Sequence, residues 1–257
     1  AALSASQIAG LSGLGQFSRV ALGKKLSGKV AGVSAAIGGT EQTISGHASP
    51  KDLETLFQLI HLEFTGARLD TAAFEAFRNQ VEPYLANRGA SPDEVFSDTV
   101  QVTMGQHDFR SRPITPATFA EVDPHRALDF FKARFAGASG FTFVFVGNVN
   151  LDTLKALSER YLATIPAGHP ETWKNVEKGP PTGVVERVVH KGVEPKANTM
   201  LFFTGPLDYA PQNRVDLRAL AELLQRQGSE TRREKVGGTY SPSVNAGTDF
   251  APRQEYT

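Results

Sequence analysis

Apolar positions along this chain mostly recur every three or four residues, the spacing of helices that bury one face. Leu53, Leu56, Phe57, Ile60 and Phe64 keep it. They follow Ser49-Pro50-Lys51-Asp52, a helix start with a hydroxyl cap, a proline in the first turn and an acid at the third position. Phe74, Phe77 and Val81 form the next stripe after the Asp70 cap, and Pro83 is expected to kink or shorten that helix because it has no N–H to donate. Ser91-Pro92 opens a helix with Phe96, Val100 and Met104 on one side. Asp123-Pro124 opens another with Ala127, Phe130, Phe131 and Phe135. Asn150 caps a helix carrying Leu151, Leu154, Leu157 and Leu162. Upstream, the alanine-rich start reads as a helix with Ile8 and Leu11 as core contacts. A loop at Gly13-Leu14-Gly15 and a short helix from Val20 closed by Gly28 follow.

Other stretches alternate or run apolar and read as strands. Lys29–Ile37, a Gly38-Gly39 turn and Thr40–His47 form a hairpin. Phe141-Thr-Phe-Val-Phe-Val is apolar almost throughout and reads as a central strand. Val184–Lys191 and Asn198–Gly205 read as further strands, the second buried on both faces, and Ser243–Gly247 begins another. Pro211–Gln227 is a helix with Leu217, Leu220, Ala221 and Leu224 on one side, and Gly228 is expected to break it. Residues 166–183 are rich in proline and glycine and form the linker, with Trp173 as a candidate anchor to a domain. The expected organisation is a first domain over 1–165, the linker over 166–183, and the start of a second domain over 184–257. The second is too short to bury a core of its own comfortably, and the first residues look like a cut.

Composition narrows the chemistry. The 257 residues hold 27 basic and 27 acidic side chains, which argues against a dedicated nucleic-acid surface. With no cysteine, disulfides, thiolate metal sites and a cysteine nucleophile are excluded. No run is long and apolar enough to span a membrane. The six histidines, His47, His61, His107, His125, His169 and His190, include no two that are four residues apart. A catalytic zinc needs three protein ligands and an open position, so no zinc site is expected in this chain. His47 at the hairpin end is the least implausible stray ligand. His61 and Glu63, two residues apart on a helix, diverge too far to share a metal. His107-Asp108 is an adjacent pair on a loop, where neighbouring side chains seldom face one another.

The remaining candidate chemistry lies in Arg232-Arg233-Glu234-Lys235-Val236-Gly237-Gly238-Thr239-Tyr240-Ser241. A charged helix end, a glycine stop and an extended exit would hold a guanidinium and a phenol at a fixed separation. Arg233 can donate several hydrogen bonds to a carbonyl or carboxylate. Tyr240 can donate one to a developing oxyanion. Read alone, an arginine at a helix end and a tyrosine at a strand start are ordinary surface and core-edge residues.

The run Arg233–Ser241 resembles the Arg-Glu-x-x-Gly-x-x-Tyr signature of the pitrilysin/insulinase zinc metallopeptidases, which lies in their C-terminal half. Phe143-Val-Phe-Val-Gly-Asn-Val-Asn-Leu-Asp resembles the strand-glycine-helix that ends each domain of that family, and the likeness covers nearly the whole chain. The family's His-x-x-Glu-His is absent, and Gln227-Gly228-Ser229 replaces an expected aliphatic-rich run. The resemblance implies an α/β fold of the α+β kind. It has two related domains, each a mostly antiparallel sheet packed with helices, the second incomplete. It implies the C-terminal-half, non-zinc segment of a zinc endopeptidase that encloses peptides. Arg233 would grip the substrate backbone and Tyr240 would steady the oxyanion, while the zinc is bound outside this segment. The expected partners are a peptide or small-protein substrate and a zinc-bearing N-terminal half, in cis or as a separate chain. The expected compartment is the periplasm or outside the cell, and the segment alone is expected to be inactive. The rival reading is a catalytically silent homologue serving as partner subunit or scaffold. A freestanding peptide-binding module is a third.

Overall fold

The computed structural model describes residues 2–169, 172–176, 178–235, 243–249 and 254–257, with the side chains of residue 3 and of 229–235 outside the description. The fold mixes helices with small antiparallel sheets, and the chain divides into two compact units. The first comprises residues 1–101 and 112–174, the second 102–111 and 175–257.

The first unit begins with α1 (Ala5–Ser12) and α2 (Arg19–Lys25). Between them Gly13 has φ +84°, and a Cβ there would run into the Phe17 carbonyl, so the tight loop requires glycine. The hairpin follows as β1 (Ala31–Ile37) and β2 (Gln42–Ala48), paired in register from Ala31 opposite Ala48 to Ile37 opposite Gln42. Ser49 and Asp52 then turn the chain into α3 (Leu53–Thr65). The Asp52 carboxylate accepts the Ser49 hydroxyl at 2.6 Å and the Val30 N–H at 2.9 Å, clamping the foot of the hairpin to the start of the helix. Those hydrogen bonds, the Ser49 hydroxyl first, hold the carboxyl below the usual range. Thr55, Leu56, Phe57, Leu59, Ile60 and Glu63 are the buried face of α3. A Cβ on Gly46 would lie 2.6 Å from Leu56 Cδ1, so glycine lets β2 close on this helix.

Four helices continue the unit: α4 (Thr71–Arg88), α5 (Pro92–Met104), α6 (Pro116–Ala120) and α7 (Pro124–Arg134). Pro83 does not shorten α4, which runs five residues past it. The missing N–H costs the bond to the Asn79 carbonyl, and the helix absorbs that loss. The α6 helix, absent from the sequence reading, is built by a capping box between Thr115 and Thr118. Around Ser12 the elements lock together: its buried hydroxyl receives the Asp70 N–H at 3.0 Å, and its carbonyl receives Arg68 at 2.7 Å. Phe131 of α7 and Phe135, the residue that ends it, pack with Ala5 and Ala9 of α1. After α7, helix α8 (Leu151–Leu157) runs into a wider π turn through Leu162.

Phe141–Val146 departs from expectation. Its three aromatic rings face inward: Phe145 stacks on Phe57 at 5.0 Å, Phe141 packs edge-on to Phe64 at 5.0 Å, and Phe143 lies 6.3 Å from Phe64. Val144 and Val146 are 77% and 93% exposed. The segment is therefore one-faced, not central, and among the described residues it joins no β-ladder. The period of two is muted in the sequence because two of the three outward positions, Val144 and Val146, are also apolar.

In the second unit, Gln106 donates to the carbonyls of Gly179 and Pro180, both at 3.1 Å. A small sheet combines β3 (Gly205–Pro206), helix α9 (Pro211–Lys235) follows, and β4 (Thr248–Asp249) and β5 (Glu255–Tyr256) complete the order β3-β5-β4. Of the expected strands at 184–191 and 198–205, only Gly205 enters a ladder among the described residues, opposite Tyr256, and Leu201 and Phe203 are 78% and 73% exposed, not buried. The strand expected at 243–247 enters its ladder only at its end, where Gly247 and Thr257 exchange backbone hydrogen bonds at 2.8 and 3.1 Å. Trp173 is largely exposed.

The one-faced reading of Phe141–Val146 is testable by hydrogen exchange of the α3 amides. Phe57→Ala should lower their protection by about 3–5 kcal/mol. Val146→Ala should change it by less than about 0.5 kcal/mol. Comparable losses in both variants would mean that the outward face is also packed.

Candidate substrate-contact site

Helix α9 carries the first half of the candidate site. Its 25 residues extend about 37 Å at the α-helical rise. Gly228 does not break it. The helix continues from Pro211 through Gly228 to Lys235, so the Arg233 backbone lies in its last turn. A single glycine costs a helix interior only about 1 kcal/mol, too little to divide a helix this long. The base of α9 is tied to the small sheet. The Leu207 and Tyr209 N–H groups donate to Gln254, to its carbonyl at 3.2 Å and its side chain at 3.0 Å. Arg214 stacks over the Tyr209 ring at 4.9 Å. Farther along, the Val244 N–H donates to the Gln225 side chain at 2.7 Å, pinning the returning chain beside the helix.

The Arg233 side chain and the whole of Tyr240 lie outside the described residues. Val215, Leu220, Leu223 and Leu224 leave an apolar stripe along α9 that is about half exposed.

The other candidates separate on geometry. The Nδ1 of His61 lies 2.8 Å from the Tyr161 carbonyl, so Nδ1 carries the proton and donates it, which orients the ring. Its helical neighbours three and four residues away are Phe57, Gln58, Phe64 and Thr65, none of them a zinc ligand of the usual kind. His47 stands opposite Gly32 in the hairpin. His107 and Asp108 form no dyad. His107 has φ +55°, and the Asp108 carboxylate is taken up by the Arg110 N–H and guanidinium, at 2.9 and 3.2 Å. Those bonds hold the Asp108 carboxyl below its ordinary value. Among the described residues no group of three His, Asp or Glu side chains could hold a metal ion. The described residues do not fit a catalytic zinc.

One charged cluster escaped the sequence reading. Arg88 meets Glu94 at 2.6 Å and Asp98 at 2.7 Å, and it donates to the Ile114 carbonyl at 3.1 Å. The Tyr84 hydroxyl donates to Glu94 at 2.8 Å and, with Arg88, holds that carboxyl low. Glu94 is thus held from both sides, and the cluster fastens α4 to α5. Only the (i, i+6) and (i, i+10) spacings across a turn could have revealed it, and these carry no helical signal.

Comparison with known proteins bears on both units. A family profile described as the Peptidase M16 inactive domain matches residues 122–250. The chain is 23% identical over 233 residues to a probable zinc protease PqqL of Haemophilus influenzae, covering 89% of this chain and 24% of that protein. It is 31% identical over 116 residues to a zinc protease PQQL-like of Arabidopsis thaliana, covering 45% of this chain and 12% of that one. Among solved structures, the periplasmic protease PqqL from Escherichia coli superposes with a TM-score of 0.79 at 22% identity, over 98% of this chain and 28% of that one. The ferredoxin protease FusC, in complex with Arabidopsis ferredoxin, gives 0.73 at 17% identity, over 98% and 28%. The chain thus spans between 12% and 28% of the length of these relatives.

Continuity of α9 sets where Arg233 is carried, and it can be checked. Gly228→Ala should stabilise the helix by about 1 kcal/mol, seen as slower amide exchange across residues 221–235. Faster exchange would mean a break at Gly228.

Proposed function

Because the chain belongs to the M16 peptidase family, we propose that it is the zinc-lacking, C-terminal-half segment of a zinc endopeptidase that encloses and cleaves peptides. The observation that carries this reading is the pairing of the family match with the retained Arg233 and Tyr240 of the family signature. Arg233 donates to a carbonyl of the extended substrate. Tyr240 donates to the oxyanion of the tetrahedral intermediate, where a donor placed in advance is worth most. The zinc is held by a separate half of the protein, either in cis or as another chain. The half-exposed stripe of α9 and the outward valines of Phe141–Val146 suit a segment that works within a larger enclosure. A protein substrate is in keeping with the relative captured on ferredoxin, and a periplasmic or secreted location with the relative described as periplasmic.

The competing reading, a catalytically silent homologue acting as partner subunit, differs in one measurable way. Immunoblotting of the source cells with an antibody to this segment should give a band several times the mass of the chain, 27.7 kDa. A band near that mass, or about twice it, together with no zinc-bearing partner on co-purification, would favour the silent subunit.

In the full-length enzyme, Tyr240→Phe should lower kcat by about 10²–10³, roughly 3 kcal/mol, with folding intact. Arg233→Ala should raise KM if the guanidinium grips the substrate backbone equally in ground and transition states. Unchanged turnover in Tyr240→Phe removes the oxyanion assignment. Stripping zinc by chelation should abolish peptide hydrolysis while leaving the amide exchange of α3 and α9 unaltered.

A further inference from the structure

Glu63 stands apart from the chemistry above. It lies on the inward face of α3 at 7% exposure, and among the described residues it has neither an ion pair nor a hydrogen bond. Burying a carboxyl without a partner is costly. Here burial pushes its pKa up from the ordinary carboxyl range to about 7.

Glu63 borders a cavity of about 410 Å³ between α1, α2, β1 and α3, a size within the range of about 300–1,000 Å³ typical of small-molecule sites. Leu14, Leu22, Leu26, Val33, Leu59 and Phe131 give it apolar walls. The polar side chains lining it, besides Glu63, are Ser6, Ser34 and Arg19. The Ser6 hydroxyl is already occupied by the Ile37 N–H at 3.0 Å. α1 and β1 contain no titratable residue, α7 contributes only Phe131 to the lining, and of the charged residues of α2 the exposed Arg19 lines the hollow while the exposed Lys24 and Lys25 do not. Glu63 is thus the one buried charge-bearing group among the residues that line the hollow.

We propose that this hollow is a binding site for an apolar primary ammonium, whose alkyl body fills the leucine and phenylalanine walls and whose charged head pairs with the Glu63 carboxylate. Apolar walls give such a ligand its binding energy, and the carboxylate gives it orientation and sign. A neutral ligand of the same shape gains only the first. An anion is repelled once Glu63 ionises.

The site makes a proton-linked prediction. An alkylammonium keeps its charge across neutral pH, as lysine does. Glu63 must ionise to receive it. At pH 6 the carboxyl is about nine-tenths protonated and at pH 8 about nine-tenths ionised, from its pKa of about 7. Binding at pH 6 therefore releases close to one proton to the buffer, and affinity rises about tenfold from pH 6 to pH 8.

The test is isothermal titration calorimetry of the full-length protein with hexylammonium, in buffers of different ionisation enthalpy at both pH values. The proposal expects tenfold tighter binding at the higher pH and proton release at the lower. Hexanol should bind without pH dependence. Glu63→Gln, which copies the neutral carboxyl and should fold normally, should remove both the pH dependence and the proton release. Leu22→Trp, which fills the hollow and leaves Glu63 in place, should weaken both ligands. Three results overturn the proposal: no binding of hexylammonium at millimolar concentrations, equal affinity at the two pH values, or full binding by Glu63→Gln.

Discussion

The first unit depends on the inward face of α3. The hairpin lies on it through Leu56, with Gly46 granting the approach. The extended aromatic segment lies on it through the Phe57–Phe145 stack and the rings around Phe64. The turn after α8 is tied to it by His61 and Tyr161, and its N-terminus is clamped to β1 by Asp52. A single amphipathic stripe thus sets the positions of a sheet, an extended segment and a distant helix. Aromatic burial supplies most of the energy in such a core, because each ring removes 150–250 Å² from water. Hydrogen bonds at the margins contribute less energy and more register.

What was legible follows from the range of the forces involved. Helices and their caps are local, so Asp70, Asp123 and Asn150 announced helices that they do cap. The hairpin was legible for the same reason, since a short turn joins its strands. A ladder between distant strands is different. Alternation shows that a segment is extended, but a ladder needs a neighbour that the segment's own letters do not name. That is why Phe141–Val146 was correctly seen as apolar and wrongly placed at the centre of a sheet. Gly228 failed in the opposite direction: a local breaker signal was overruled by the length of α9 and the anchoring of its base. Glu63 carried no mark in the sequence beyond its spacing from His61, because burial of a lone carboxyl depends on what closes over it.

Arg233 and Tyr240 were legible in yet another way. Residue physics alone would leave them as a helix-end cation and a strand-start phenol. Only their spacing within a family signature singles them out, and the family is supported by matches extending well beyond that signature.

The proposed role needs no metal ligand among the described residues, because transition-state stabilisation needs donors fixed before the reaction as much as it needs a nucleophile. A donor on a loose loop would lose much of its worth to ordering entropy. In its proposed role of gripping the substrate backbone, Arg233 would have that fixity from α9. Its base is bound to the small sheet through Gln254, its middle is braced by Val244 on Gln225, and its backbone hydrogen bonds continue through Gly228 to the last turn. Displacing the Arg233 backbone therefore means bending a helix or breaking one of its anchors. On a helix about 37 Å long, a tilt of a few degrees at the base moves the far end by an ångström or more, the scale at which misplacement costs catalysis dearly. The small sheet at the base matters to Arg233 more than its two-residue strands suggest.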